Sequence, residues 1–147
     1  MPAVRRFCAK VLLIDPHERV LLFSGIDRTL ADEPPVWFPV GGAVEDGETL
    51  EAAAVRETAE ETGFDINVLG PALFTRRFHW AFEGDAYDQE ETYFLVRAPG
   101  DPLTDVRWTD VEKATIVAHR WWTIDELRCT RETVYPEGLA DILEHFL

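Results

Sequence analysis

The chain is poor in three features, and each shortage excludes a class of protein. It has two cysteines in 147 residues, Cys8 and Cys129, whereas a small secreted domain stabilised by disulfides needs more. No stretch approaches the roughly 20 consecutive apolar residues of a membrane helix. Lysine and arginine number 14 against 28 aspartates and glutamates. The net charge of −14 repels a phosphate backbone, so the composition disfavours binding to DNA or RNA.

The features that are present indicate an ordinary globular enzyme or binding protein. The length matches one domain, and we predict a single domain over residues 1–147. Hydrophobic residues make up 46% of the chain, which argues against disorder. We find no internal repeat, low-complexity tract or linker. We therefore expect a cytoplasmic protein with reduced thiols, without nucleic-acid or membrane partners.

The apolar pattern predicts strands that come early, in the middle and late in the chain. We place them at residues 5–14, 19–24, 37–38, 91–97 and 116–122, with strand-like stretches between 64 and 78. One helix is predicted between an N-cap at Thr49 and a C-terminal glycine, Gly63. A short helix follows Thr123, and a last one covers about 137–146. Residues 79–90 are predicted as a loop or hairpin tip. The pattern indicates an α/β (α+β) fold with a mixed sheet between helices.

The most informative stretch is residues 42–64 (GAVEDGETLEAAAVRETAEETGF), which holds seven acidic residues and one base. On the predicted helix, Glu57 and Glu61 are four residues apart and share a face, with Glu60 beside it. Like charges at this spacing destabilise a helix by a few tenths of a kcal/mol per pair. Glutamates late in a helix also oppose its dipole. The alternative interpretation is a solvated acidic surface, which is what most charge runs are.

A divalent cation would remove this conflict, because Mg²⁺ and Mn²⁺ prefer oxygen ligands. Arg56, the one base, is suited to orient a carboxylate through a charge-assisted hydrogen bond. Gly41 and Gly42 permit a close backbone approach, so that a carbonyl oxygen can add a ligand. The opposite helix face was expected to lie on the sheet through small residues: Ala52, Val55, Ala59 and Thr62.

The spacing of this stretch resembles the signature of the Nudix family, of the MutT-like type. That signature is Gly, five residues, Glu, seven residues, Arg-Glu, an apolar residue, any residue, Glu-Glu, any residue, Gly and an apolar residue. The matching positions are Gly42, Glu48, Arg56, Glu57, Glu60, Glu61, Gly63 and Phe64. Thr58 departs from the pattern, since an aliphatic residue is usual there. Val40 interrupts the common Pro-Gly-Gly order before the Nudix box, residues 42–64.

The resemblance implies a Nudix α/β/α sandwich and a pyrophosphohydrolase activity. In such an enzyme, Glu57, Glu60 and Glu61 hold Mg²⁺ or Mn²⁺, and the carbonyl of Gly42 is a further candidate ligand. The metal neutralises the diphosphate and lowers the pKa of the water that attacks phosphorus. Glu48 and Arg56 would hold the ligands in place. The expected substrate is a small nucleotide, a nucleoside diphosphate linked to another moiety.

Members of the family often use one further glutamate outside the box as a ligand or base. Glu90, Glu91 and Glu112 are our candidates, and we favour Glu112 because the loop before the late tryptophan strand can reach the site. The alternative for each is a solvated carboxylate. Arginines pair well with phosphate, and three are candidate substrate contacts or ordinary surface charges: Arg76, Arg77 and Arg120.

Other functions stay open at this level. A nucleotide-sensing module without catalysis would be marked by loss of box glutamates, and none is lost. An isomerase on the same fold would need a suitably placed cysteine. Nucleoside triphosphates, including oxidised ones, and sugar nucleotides all remain candidate substrates. Since many relatives form dimers, a homodimer is an expectation from the resemblance alone.

Overall fold

The computed structural model describes residues 3–30, 32–67 and 69–147. Within these ranges the chain forms six strands and four helices. The strands are β1 (Val4–Ile14), β2 (Val20–Gly25), β3 (Val36–Ala43), β4 (Phe74–Phe82), β5 (Asp85–Arg97) and β6 (Ile116–Trp122). The helices are α1 (Leu50–Thr62), α2 (Asp110–Thr115), α3 (Ile124–Cys129) and α4 (Leu139–Phe146). None of the described helices has the length and hydropathy needed to cross a bilayer.

All six strands join one mixed sheet in the order β4-β5-β1-β3-β2-β6. β1 runs parallel to β5 and antiparallel to β3. The other neighbouring strands are antiparallel. The parallel pair at the centre requires a long crossover between β1 and β5, and that connection contains α1. The predicted mixed sheet is therefore confirmed.

Each face of the sheet carries its own core, because successive strand residues point to opposite sides. On one face, Val11 and Phe23 pack with Ala53 and Ala54 of α1. On the other face, Leu12 and Trp122 of the strands pack with Leu139 and Leu143 of α4. Helices thus cover both faces, as the sequence predicted.

The hairpin between β4 and β5 is tighter than expected. Only Glu83 and Gly84 form the turn, with φ of 50° and 88°, the sign that a two-residue mirror-type hairpin turn needs at both positions. A glutamate is an unusual residue there. Its backbone N–H donates to the Asp27 carboxylate at 2.8 Å, and its side chain pairs with Arg28 at 2.6 Å. Contacts from the distant 27–28 segment stabilise this turn. The hairpin tip predicted within 79–90 is therefore present, but most of that range belongs to β4 and β5, so the alternative of a loop was wrong.

Helix α1 is rotated relative to our expectation. Its buried residues are Ala53, Ala54, Thr58, Glu61 and Thr62. Of the four small residues expected there, only Thr62 is buried, whereas Ala52 is exposed. The threonine hydroxyls of this face are satisfied within the helix: Thr58 donates to the Ala54 carbonyl at 2.8 Å. The rotation turns the Glu61 side chain towards the sheet, which the expectation based on small residues did not foresee.

Helix α2 was not predicted. It begins with a capping box in which the Thr109 hydroxyl accepts the Glu112 N–H at 3.1 Å. In return, the Glu112 carboxylate accepts the Thr109 N–H at 2.9 Å. The sequence signature of such a box, Thr or Ser followed three residues later by Glu, was available but overlooked. Its consequence is that Glu112 lies on a capped helix that leads directly into β6.

Candidate functional site

The box helix is fixed at both ends by the residues that the sequence indicated. The Thr49 hydroxyl accepts the Ala52 N–H at 3.0 Å, which satisfies one of the free donors of the first turn. Gly63 ends the helix with a left-handed φ of 82°, a conformation that glycine adopts without strain. The glutamates between these caps are therefore presented from a helix of defined length and rotation.

Glu61 is the most deeply buried charge-bearing residue of the box, with 3% of its surface exposed. Its carboxylate accepts the backbone N–H of Gly41 at 2.8 Å, and no other described residue donates to it. Burial raises the pKa of Glu61 well above its usual value. The Lys10 cation opposes this rise in pKa, and the Glu57 charge adds to it.

Glu57 packs against the next residue of β3 in the same way. A Cβ atom at Gly42 would lie 2.6 Å from the Glu57 Oε1 atom, so only glycine leaves room for the carboxylate. Burial raises the pKa of Glu57, the Arg56 guanidinium lowers it, and the charge of Glu60 raises it further. The two carboxylates one helical turn apart thus lie over two adjacent glycines.

Arg56 binds several acidic side chains of the box at once. Its guanidinium donates to Glu48 at 2.8 and 3.0 Å and to Glu57 and Glu60 at 3.1 Å each. It also donates to the carbonyl of Ala43 at 3.1 Å. Such multidentate contacts use the fixed fork of the guanidinium. Arg56 therefore connects the end of β3, the loop and α1, and the positioning role that the resemblance implied for it stays a prediction.

The electrostatics of this arrangement divide the box glutamates into two kinds. Hydrogen bonding from Arg56, followed by the Glu45 N–H, lowers the pKa of Glu48 to about 2. Glu48 is therefore ionised in any physiological condition. The pKa values of Glu57 and Glu61 are instead raised, because burial disfavours their charged forms.

The structure places two of the candidate glutamates outside the box in different surroundings. The negative charge of Glu112 contributes to the raised pKa of both Glu57 and Glu61, so it lies within electrostatic reach of the box. Glu91, on β5, is 6% exposed and accepts hydrogen bonds from the Tyr93 hydroxyl at 2.6 Å and the Gln89 amide at 2.7 Å. By strand alternation it shares the α4 face of the sheet with Tyr93, and α1 covers the other face.

The three candidate arginines contact other groups. The guanidinium of Arg76 lies 4.4 Å from the Phe78 ring centroid, and Arg77 pairs with Glu90 at 2.9 Å. Both arginines line a recess of about 440 Å³ beside α4. Arg120 pairs with Glu126 on the last strand of the sheet. No hydrogen bond or ion pair of the described residues joins any of the three to the box, and their role in substrate binding remains a prediction.

Two residues near the box, Trp108 and Lys10, were not predicted from the sequence. The indole N–H of Trp108 donates to the backbone carbonyl of Glu61 at 2.8 Å, which satisfies a carbonyl of the last helical turn. Lys10, on β1, is buried and is the cation that most lowers the pKa of Glu61. The signal for Lys10 was available, since a single charge interrupts the apolar strand FCAKVLLI.

The donor set of the box fits a hard divalent cation. Among the described residues, no three histidine, cysteine, aspartate or glutamate side chains already form a ligand cluster. Arg56 holds Glu57 and Glu60 at 3.1 Å each. However, a carboxylate has about four acceptor positions, and buried Glu61 uses one of them. Buried carboxylates are stabilised when paired or when they coordinate a metal, and Mg²⁺ and Mn²⁺ take such oxygens.

Comparisons with known proteins agree with this geometry. A sequence model of the NUDIX domain matches residues 4–146. The RNA pyrophosphohydrolase of Novosphingobium aromaticivorans is 28% identical over 96% of this chain and 84% of its own length. Among solved structures, the MutT protein of Methanosarcina mazei is 17% identical, with a TM-score of 0.69 over 99% of this chain and 95% of that one. The dihydroneopterin triphosphate pyrophosphohydrolase of Escherichia coli is 22% identical, with a TM-score of 0.65 over 97% of both chains.

The structural likenesses, at these low identities, support the fold. The domain match covers nearly all of the chain, including the carboxylate helix and the sheet around it. The resemblance that residues 42–64 indicated is thereby confirmed. The chain belongs to the Nudix hydrolase family.

Proposed function

We propose that this chain is a divalent-metal-dependent pyrophosphohydrolase that cleaves the phosphoanhydride bond of a nucleoside diphosphate linked to another group. One observation carries the proposal: Glu57 and Glu61 lie over Gly42 and Gly41 with raised pKa values, which leaves buried carboxylate oxygens for a cation. The relative named an RNA pyrophosphohydrolase supports hydrolysis of phosphoanhydride bonds as the reaction class.

In this proposal Glu57, Glu60 and Glu61, with the carbonyl of Gly42, hold Mg²⁺ or Mn²⁺. The bound cation supplies neutralisation of the diphosphate charge and makes the attacking water more acidic. The contacts of Arg56 keep the carboxylates in place as charge develops on the phosphoryl oxygens, so that little reorganisation is needed during the reaction.

Glu112 is the proposed proton acceptor. The water oxygen forms a bond to phosphorus, the bond from phosphorus to the bridging oxygen breaks, and the electron pair leaves with the departing phosphate. The water proton passes to the Glu112 carboxylate. The charge of Glu112 reaches both Glu57 and Glu61, and its capping box holds it at the start of α2, which supports this role.

The decisive experiment is a phosphate-release assay, coupled to pyrophosphatase, across a panel of nucleotides with Mg²⁺, Mn²⁺ or chelator. The panel contains normal and oxidised nucleoside triphosphates, sugar nucleotides, dinucleoside polyphosphates and an RNA with a 5′-triphosphate. We expect metal-dependent turnover on at least one small nucleotide. Because the net charge is −14, we expect less turnover on the RNA than on the mononucleotides.

Two variants distinguish the box from a general acidic surface. Glu57→Gln removes a proposed ligand, whereas Glu51→Gln removes an exposed glutamate from the first turn of the same helix. We expect turnover to be lost in the first variant and kept in the second. Absence of turnover by the wild type on every compound, with nucleotides still raising the melting temperature, would refute the hydrolase and favour the sensing module. Equal turnover by both variants would refute the assignment of the box as the site.

A further inference from the structure

Lys10 is the one basic side chain among the described residues that is buried, with 9% of its surface exposed. Its ammonium makes no hydrogen bond and no ion pair with any other described residue. The Nζ atom lies 5.6 Å from the centroid of the Phe38 ring. Lysine is rarely buried unless it is paired. The contacts of Lys10 within the chain therefore do not account for its position.

The position of Lys10 in the sheet brings it next to the box. In the pairing of β1 with β3, Lys10 is opposite Gly41 and Ala9 is opposite Gly42. These are the two glycines over which Glu61 and Glu57 lie. Neighbouring strands are about 4.8 Å apart, so Lys10 begins one strand spacing from the backbone N–H that holds Glu61. Burial raises the pKa of Glu61, and the positive charge of Lys10 opposes that rise.

If Lys10 only screened the charge of Glu61, its position would be explained in the metal-free protein but not in the metal-bound protein. When a divalent cation binds the box carboxylates, a lysine beside them faces a charge of its own sign. A bound anion between the cation and the ammonium removes this repulsion. The substrate class that we propose supplies such an anion, because a diphosphate carries negatively charged oxygens on two adjacent phosphorus atoms.

We infer that Lys10 binds the substrate directly, by donating from its ammonium to an anionic oxygen of the diphosphate that lies over Gly41 and Gly42. This inference rests on the proposed function and adds a substrate contact from β1, outside the Nudix box. The choice of residue agrees with the role. The chain has twelve arginines and two lysines, and the compact charge of a lysine suits a phosphate oxygen in a narrow space better than a broad guanidinium fork does.

The test compares Lys10→Met with Lys113→Met, which removes the only other lysine, an exposed residue of α2. Binding is measured by calorimetry with a methylene-bridged, non-hydrolysable nucleotide and with inorganic pyrophosphate, each in the presence of Mg²⁺. We expect Lys10→Met to weaken both affinities by roughly tenfold to a hundredfold, the range for a hydrogen bond to a charged group. Lys113→Met should bind as the wild type does, and Lys10→Arg should keep part of the affinity.

Metal affinity and melting temperature, measured beside the affinities for the two diphosphate ligands, separate the two roles of Lys10. If Lys10 binds substrate, Lys10→Met should bind Mn²⁺ as tightly as the wild type or more tightly, because a neighbouring positive charge has been removed. If Lys10 serves only to screen Glu61, the variant should change its melting temperature while its affinity for both diphosphate ligands stays at the wild-type value. That second outcome would overturn the inference.

A third measurement uses the unaltered protein and so does not depend on the folding of a variant. Reductive methylation followed by mass spectrometry reports how fast each lysine reacts. We expect the bound nucleotide analogue to slow modification of Lys10 at least about tenfold while leaving Lys113 unchanged. Equal rates for Lys10 with and without ligand would contradict the inference. If the wild type binds the analogue but hydrolyses no nucleotide, the proposed hydrolase fails and the contact of Lys10 stands.

Discussion

Glu61 and Glu91 are the two buried glutamates among the described residues, and their hydrogen-bond partners differ. They are 3% and 6% exposed. Glu61 accepts a single backbone N–H, that of Gly41, and burial raises its pKa well above the usual value. Glu91 accepts the Tyr93 hydroxyl and the Gln89 amide, with the Arg76 guanidinium 3.6 Å away.

The difference shows how a fold can keep one buried carboxylate satisfied and leave another for a ligand. The network around Glu91 continues to Trp80, whose indole N–H donates to the Gln89 amide oxygen at 3.0 Å. It joins side chains of β4 and β5, and a satisfied buried network of this kind rigidifies its surroundings. Glu61 has no comparable set of donors. Its burial costs stability in the metal-free protein, as is typical of sites that trade stability for function.

The largest effect should follow from Glu61→Gln, which is expected to lower kcat by about a thousandfold or more, the scale of losing a group that stabilises charge in the transition state. The same variant should raise the free energy of unfolding of the metal-free protein at pH 7 by roughly 1–3 kcal/mol, because an uncompensated buried charge is removed. Urea titrations at pH 7 and pH 4 measure this.

The sign of the stability change can be checked through its pH dependence. The raised pKa means that folding favours the protonated form of Glu61, so its cost is absent at low pH and appears as the pH rises towards that pKa. The gain from Glu61→Gln should therefore shrink at pH 4. A variant that is less stable than the wild type at pH 7 without metal would contradict the contrast drawn between the two glutamates.

The next largest effects are expected from Glu112→Gln and Glu91→Gln, the first on turnover and the second on stability. Loss of the proposed proton acceptor, Glu112, should lower kcat by roughly a hundredfold to ten-thousandfold with little change in stability. Glu91→Gln should instead lower the free energy of unfolding by about 1–3 kcal/mol, because it breaks a buried hydrogen-bond network. Steady-state kinetics and urea unfolding of both variants, with the exposed Glu51→Gln as control, measure the two effects. Turnover that survives in the first variant and vanishes in the second would reverse the assignment.

A smaller loss is expected from Arg56→Lys. A lysine keeps the charge but cannot reach Glu48, Glu57, Glu60 and the Ala43 carbonyl together, as the guanidinium does. We expect kcat and Mn²⁺ affinity to fall by about tenfold to a hundredfold, the effect of losing a group that orients metal ligands. Arg128→Lys, at a surface ion pair, is the matched control. Wild-type Mn²⁺ affinity in Arg56→Lys would show that the carboxylates do not need this positioning.

The smallest effect concerns Glu48 at acid pH. Because its pKa is lowered to about 2 from 4.5, Glu48 contributes stability that is present above the usual carboxyl pKa. That contribution is lost as the pH falls from about 4.5 to about 2. Between pH 5 and pH 3 the wild type should lose more free energy of unfolding than Glu48→Gln does. Parallel slopes for the two proteins would show that the pairing with Arg56 contributes nothing to stability.

Much of the fold followed from short-range patterns. The caps at Thr49 and Gly63 and the positions of β1, β2 and β6 were read from local residue types and apolar periodicity. The failures had two kinds of cause. The turn at Glu83 and Gly84 is stabilised by Asp27 and Arg28, more than 50 residues earlier, whereas α2 begins with a local capping box that apolar periodicity does not reveal.

The candidate site divides in the same way. Spacing along one helix predicted that Glu57, Glu60 and Glu61 would act together. In the structure Glu57 and Glu60 share Arg56 as a partner, whereas Glu61 accepts the Gly41 N–H. Spacing could not show that Lys10 stands across from Gly41, because that neighbour is fixed by the pairing of β1 with β3. Nor could it show which outer glutamate lies near the box, since α2 and β5 reach their places through the sheet.

The sequence by itself determined the family and the carboxylate helix, because both depend on residues less than 25 positions apart, and the hard divalent cation that such a helix favours stays a prediction. Only the tertiary structure decided the rotation of α1, the burial of Glu61, and the different surroundings of Glu112 and Glu91. The physical reason is that burial and pKa depend on which backbone and side-chain groups lie within a few ångströms. For residues on different strands, the sheet pairing sets those neighbours.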